Sequence, residues 1–222
     1  MINLTMSATA KTQMNLGLHH LLAACRYGAR IQELEHENAG KEFGPFWEEI
    51  LHNSLGVATL TVASLESYAN EMYFEGSILK DKLSPVSIEE LTRLIDREPV
   101  LRKYSMALAV RTDKQFDCGN TTIQNADALI KLRNAVVHFR PEWFGEQCKH
   151  DKLSKLLQHK FQQSCFLPKE PIFPRAWASA GFAAWALKSS VEFLDHFYSE
   201  VGLDCPLHQF KDQLVTLSSN ML

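Results

Sequence analysis

The stretch LIKLRNAVVHFRPEW, Leu129 to Trp143, decides how the chain is read. Its apolar residues recur at helical rather than strand spacing, and Pro141 stops the run. At 100° per residue from Ile123, one arc holds Ala126, Ile130 and Val137, and Arg133 falls inside that arc. The opposite side carries Leu132, Ala135 and Phe139. A helix apolar nearly all round is packed among neighbours, so Arg133 needs an anionic partner. The polar arc is narrow and consists of Gln124, Asp127, Lys131, Asn134 and His138, with Asn134 and His138 one turn apart. Arg133 and His138 diverge by roughly 140° on an ideal helix. They converge only where the helix end distorts or where a second copy supplies one of them.

Working outward, helical periodicity dominates and no segment alternates with period two between turn signals. The fold class is therefore all-α, an up-and-down helical bundle with short accessory helices. A first helix is expected from about Thr12 to His36, with ENAGKEFGP as its stop. A second runs from about Phe46 to Ser77, with Pro45 at its start. In SPVSIEELTRLIDRE, Ser87 and Glu90 form a capping box that opens a short helix. Pro99 opens the next, VLRKYSMALAVRT, and Thr121 or Thr122 caps the helix of the opening stretch. Beyond Pro141, EWFGEQCKHDKLSKLLQHKFQQ reads as a polar amphipathic helix, and LPKEPIFP as a rigid connector. Pro174 begins a long helix to about Val201, and a short one follows Pro206, over about 206–218. One domain spans 1–222, with its core over about 12–201.

Composition removes several classes. A hydrophobic fraction of 45% and a charged fraction of 22% are those of a globular protein, not a disordered or fibrous one. The formal net charge of -3 provides no global basic field, so contact with a polyanion must come from a local group of cations. The five cysteines are dispersed and odd in number, which reads as reduced thiols in a cytoplasmic protein. The nine histidines show no zinc-ligand spacing, so neither a metal nor another cofactor is expected. The longest apolar tract, AWASAGFAAWAL (Ala176 to Leu187), is too short to span a bilayer, so no membrane contact is expected. The N-terminal residues lack the pattern of a signal peptide.

The second helix carries a matching anomaly. Its apolar stripe runs Leu55, Ala58, Val62, Leu65, Ala69, Met72 and Tyr73, and Glu66 falls within it. A carboxylate there is costly unless paired, and Arg133 is the matching lone cation. On these residues alone, Glu66 and Arg133 form a structural ion pair, with Asn134 and His138 as hydrogen-bonding groups at a helix terminus. Glu35, Glu37, Glu48 and Glu49 read as plain solvated surface, and Arg102, Lys103, Arg111 and Lys114 as dispersed surface charge.

The string Arg133-Asn134-Ala135-Val136-Val137-His138 matches R-N-x-x-x-H. Together with VASLESYANEMY on the preceding long helix, it resembles the HEPN superfamily (higher eukaryotes and prokaryotes nucleotide-binding) over about Leu51 to Pro141. The resemblance implies a helical bundle that dimerises so that two motifs face a shared cleft, and a metal-independent endoribonuclease of the toxin or phage-defence kind. Partners would then be RNA as substrate, a second copy, and an antitoxin protein. Cleavage without metal uses the ribose 2′-OH as internal nucleophile, so the protein must move protons and stabilise a charged phosphorane. His138 suits the first task, since histidine ordinarily titrates near neutrality, and the Arg133 fork suits the second. Asn134 orients His138 or holds a substrate oxygen, Glu66 supports Arg133, and Arg140 and Lys131 are candidates for further phosphate contact. The alternative is a non-catalytic helical dimer of the same type that binds protein or nucleotide, with Arg133 serving structure.

Overall fold

The computed structural model describes residues 15–74, 78–142 and 149–210. All regular elements among them are helical: α1 Leu16–Glu37, α2 Phe46–Tyr73, α3 Pro85–Ile95, α4 Val100–Thr112, α5 Thr121–Val137, α6 Lys149–Leu157 and α7 Ala180–Glu200. A kinked turn, Ile172–Ala176, in which Phe173 is extended (φ −108°, ψ 133°), precedes α7, and a 3-10 turn, Pro206–Phe210, follows it. The expected helix ends at Thr12, Ser77 and 218, and the beginning of the segment after Pro141, lie outside the described residues.

Helices α1 and α2 form an antiparallel hairpin. Ser64 late on α2 donates to the Gly17 carbonyl early on α1 at 2.7 Å, whereas Arg30 late on α1 meets Glu49 early on α2 at 2.8 Å. Gly17 lets the first turn of α1 come this close, because a Cβ there would stand 2.8 Å from the Tyr68 ring. Helix α7 packs against α1, α2 and α5, and α5 packs against α2 and α7, so α2 and α7 form the inner pair of a four-helix bundle. The core divides along the bundle. At one end Tyr104 of α4 stands edge-on to Phe193 and Phe197 of α7, over Leu21, Leu65 and Tyr68. At the other, Leu129 and Leu132 of α5 join Ile31, Val57, Phe173, Trp177 and Phe182. Each burial of such a side chain contributes roughly 1.5–3 kcal/mol before entropy, so both ends fix the position of α5.

Several boundaries differ from the sequence expectation, each for a local reason. Ser84, not Ser87, caps α3: its hydroxyl accepts the Ser87 N–H at 3.2 Å, and Pro85 occupies the first helical position. Asn120, not Thr121 or Thr122, caps α5, with its Oδ1 taking the Thr122 N–H at 2.8 Å. Helix α7 starts after Ser179 rather than at Pro174, because the Ser179 hydroxyl accepts the Phe182 N–H at 3.0 Å and Pro174 lies in the kinked turn before it. Glu35 is not plain surface. Its carboxylate accepts the Ala180 N–H at 3.0 Å at the start of α7, and burial pushes its pKa upward. Glu37 and Glu49 pair with Arg30 on the surface. Arg111 is not surface charge either. Its side chain is 14% exposed and ties two chain segments together, donating to the Val201 carbonyl at 2.9 Å and the Ile78 carbonyl at 2.6 Å.

Candidate functional site at the end of helix α5

Helix α5 buries Ile123, Ala126, Ala128, Leu129 and Leu132 against α2 and α7. The burial ends there. Ala135 and Val136 are half-buried, while Val137 is 52% exposed, so the last turn emerges from the bundle instead of being packed all round. The polar arc read from the sequence faces solvent, with Lys131, Asn134 and His138 exposed. Lys131 is spent locally on Asp127, at 2.6 Å one turn earlier.

Arg133 is the inward exception. Helical side chains lean toward the N-terminus of their helix, and Arg133 reaches across to α2, where one terminal nitrogen donates to Glu66 Oε1. The Arg133 side chain is 18% exposed and that of Glu66 46%. The pair therefore sits at a rim, not in the dry interior implied by the position of Glu66 in the apolar stripe. Arg133 Nε is buried without a hydrogen-bond partner. With one terminal nitrogen on Glu66 and Nε shut off from solvent, the other terminal nitrogen is the donor left for an incoming oxyanion.

The chain leaves α5 through His138, whose N–H closes onto the Asn134 carbonyl at 2.9 Å and whose φ and ψ of −108° and 37° lie outside the helical basin. The exit is clamped by aromatic contacts. Phe139 stacks on the His150 ring of α6 with centroids 5.4 Å apart and planes at 21°, and His150 meets Phe173 edge-on at 5.0 Å. Glu142 accepts the His150 backbone N–H at 3.2 Å. His138 and Arg140 are both exposed, and their side chains hydrogen-bond to none of the described residues. Within one chain, Arg133 points inward toward α2 while Asn134 and His138 face out.

Beside Glu66 lies a polar cleft of about 280 Å³ lined by Glu66, Asn70, Asp96, Glu98, Pro99, Val100 and Lys103. Sequence reasoning did not assemble it. Asn70 was legible as the residue one turn beyond Glu66, but Asp96 and Glu98 arrive only through the turn between α3 and α4. Among the described residues no cluster of His, Cys, Asp and Glu could hold a metal ion, and no helix is long and apolar enough to cross a membrane. The described cysteines are unpaired thiols, with burial pushing Cys25 up to about 11 and Cys205 up to about 12, far from a reactive thiolate at neutral pH. Compared with known proteins, the chain matches no family model, no curated protein and no solved structure.

Proposed function

We propose that the protein is a metal-independent endoribonuclease of HEPN type that acts as a homodimer. One observation carries this reading: Arg133 is oriented by Glu66 through one terminal nitrogen and keeps the other unbonded, while Asn134 and His138 stand exposed on the same helix end. The 2′-OH of the substrate attacks the adjacent phosphorus, its proton is removed, and the 5′-oxygen departs with a proton. His138 handles proton transfer, and Arg133 places charged donors on the non-bridging oxygens of the phosphorane. Asn134 supplies a neutral donor and acceptor beside them. Because Arg133 and His138 point apart within one chain, the complete constellation is built from two copies across a shared cleft. A role as a toxin or defence effector in the cytoplasm, with an antitoxin protein as its neutralising partner, belongs to the same reading.

A second reading has its own observation. Arg133 is already paired, and three carboxylates, Glu66, Asp96 and Glu98, line the neighbouring cleft, a surface unlike the basic track of an RNA-binding protein. Under that reading the chain is a non-catalytic helical dimer that binds protein or nucleotide. Incubation of purified protein with total RNA, wild type against His138→Ala, separates the two: cleavage abolished by the substitution supports the enzyme, and cleavage retained by the variant counts against the assigned role.

A further inference from the structure

Arg133 cannot serve a phosphate fully while Glu66 holds it, and losing it would leave Glu66 facing Asp96 and Glu98 across one small cleft. Lys103 lines that same cleft. Its main chain is fixed, since its carbonyl accepts the Tyr73 hydroxyl at 2.6 Å. Its ammonium donates at 2.8 Å to Asn70 Oδ1, a neutral amide, rather than to a carboxylate. Asn70 follows Glu66 by four residues of α2, just over one turn and about 6 Å along the axis. A lysine is a compact charge on a flexible four-carbon stem, so a swing of one turn brings it to Glu66. We propose that Lys103 is the replacement counter-ion for Glu66: when a phosphate draws Arg133 away, Lys103 leaves Asn70 and pairs with the vacated carboxylate. This rests on the ribonuclease reading and adds a positioning residue to it, because Lys103 acts on the substrate through Glu66 and Arg133 without touching it.

The test is a coupling measurement that does not need turnover. Inorganic phosphate is titrated into protein labelled with ¹⁵N-arginine, and the Arg133 Nε–H resonance, assigned by its loss in Arg133→Met, is followed. In wild type, phosphate should move that resonance. Lys103→Met should weaken the apparent affinity about fivefold, a magnitude set by one cation near a half-exposed carboxylate, and Lys103→Arg should restore it. In a Glu66→Gln background, where no carboxylate needs a new partner, Lys103→Met should change the affinity less than twofold. Equal weakening in both backgrounds would mean an ordinary long-range field and would overturn the exchange, as would an Arg133 resonance that phosphate leaves unmoved. RNA cleavage by the same variants separates the two claims. Coupling without cleavage removes the ribonuclease reading and keeps the exchange; cleavage without coupling does the reverse.

Discussion

Replacing Arg133 by methionine and by alanine separates the charge of this residue from its packing. The ion pair with Glu66 is at a rim, with the carboxylate 46% exposed, so solvent screens it and its loss costs about 1 kcal/mol or less. The stranded carboxylate can also hydrate, which lowers the penalty expected for a fully buried partner. The stem is different: the side chain is only 18% exposed, and alanine removes two buried methylenes at ~0.8 kcal/mol each and leaves a gap. Methionine keeps the stem and deletes the buried, unpartnered Nε, a group whose desolvation is uncompensated in the folded state. Arg133→Ala should therefore cost roughly 2–3 kcal/mol and Arg133→Met under about 1 kcal/mol. With a urea slope of about 2 kcal/mol/M, the midpoints should fall by about 1–1.5 M and by less than about 0.5 M. Equilibrium urea unfolding followed by far-UV circular dichroism reads both. A methionine variant that loses as much as the alanine variant would refute the argument, since the pair itself would then dominate.

Three further outcomes follow from other parts of the molecule. Arg111→Met strands the Val201 and Ile78 carbonyls and should cost about 2–4 kcal/mol in the same urea assay; a loss within about 0.5 kcal/mol would show that water replaces both bonds. Glu35 has a folded-state pKa raised above the ordinary 4.5, so it binds its proton more tightly when folded and its contribution falls as pH rises through that folded value. Glu35→Gln, which keeps an acceptor for the Ala180 N–H, should flatten this decline and raise the midpoint at pH 7 relative to wild type more than at pH 4; an equal change at both would contradict the sign. Sedimentation velocity at micromolar concentration should give a dimer, and a monomer there would remove the shared cleft.

The division between what the sequence discloses and what it withholds is itself physical. Helical spacing located α2 and α5, and the two lone charges in their apolar stripes, Glu66 and Arg133, were readable as a pair because burying either alone is expensive. Periodicity does not say that the last turn of α5 leaves the bundle, since the same apolar spacing serves a covered turn and the half-exposed Val137 alike. Where two cap candidates stand within three residues, as at Ser84 and Ser87 or Asn120 and Thr121, the choice between them depends on the local chain path, which the sequence does not show. Glu35 and Arg111 looked like surface charges since their partners, the Ala180 N–H and two carbonyls, are backbone groups with no side-chain signature. Arg133, Asn134 and His138 were legible as a motif. Their directions, one inward and two outward, follow from the helical period, whereas the half-exposed rim on which Arg133 meets Glu66 depends on how the helices pack.

The assignment of the α5 terminus as a ribonuclease site is tested most directly by the chemistry of the RNA ends. Purified wild-type protein is incubated with total RNA in excess EDTA, beside His138→Ala and Arg133→Met, and the products are analysed for their terminal groups. Attack by the 2′-OH predicts wild-type fragments that end in 2′,3′-cyclic phosphate and begin with 5′-hydroxyl, with both variants folded and inactive. Cleavage that needs a divalent cation, fragments ending in 3′-hydroxyl, or equal cleavage by wild type and His138→Ala would contradict it.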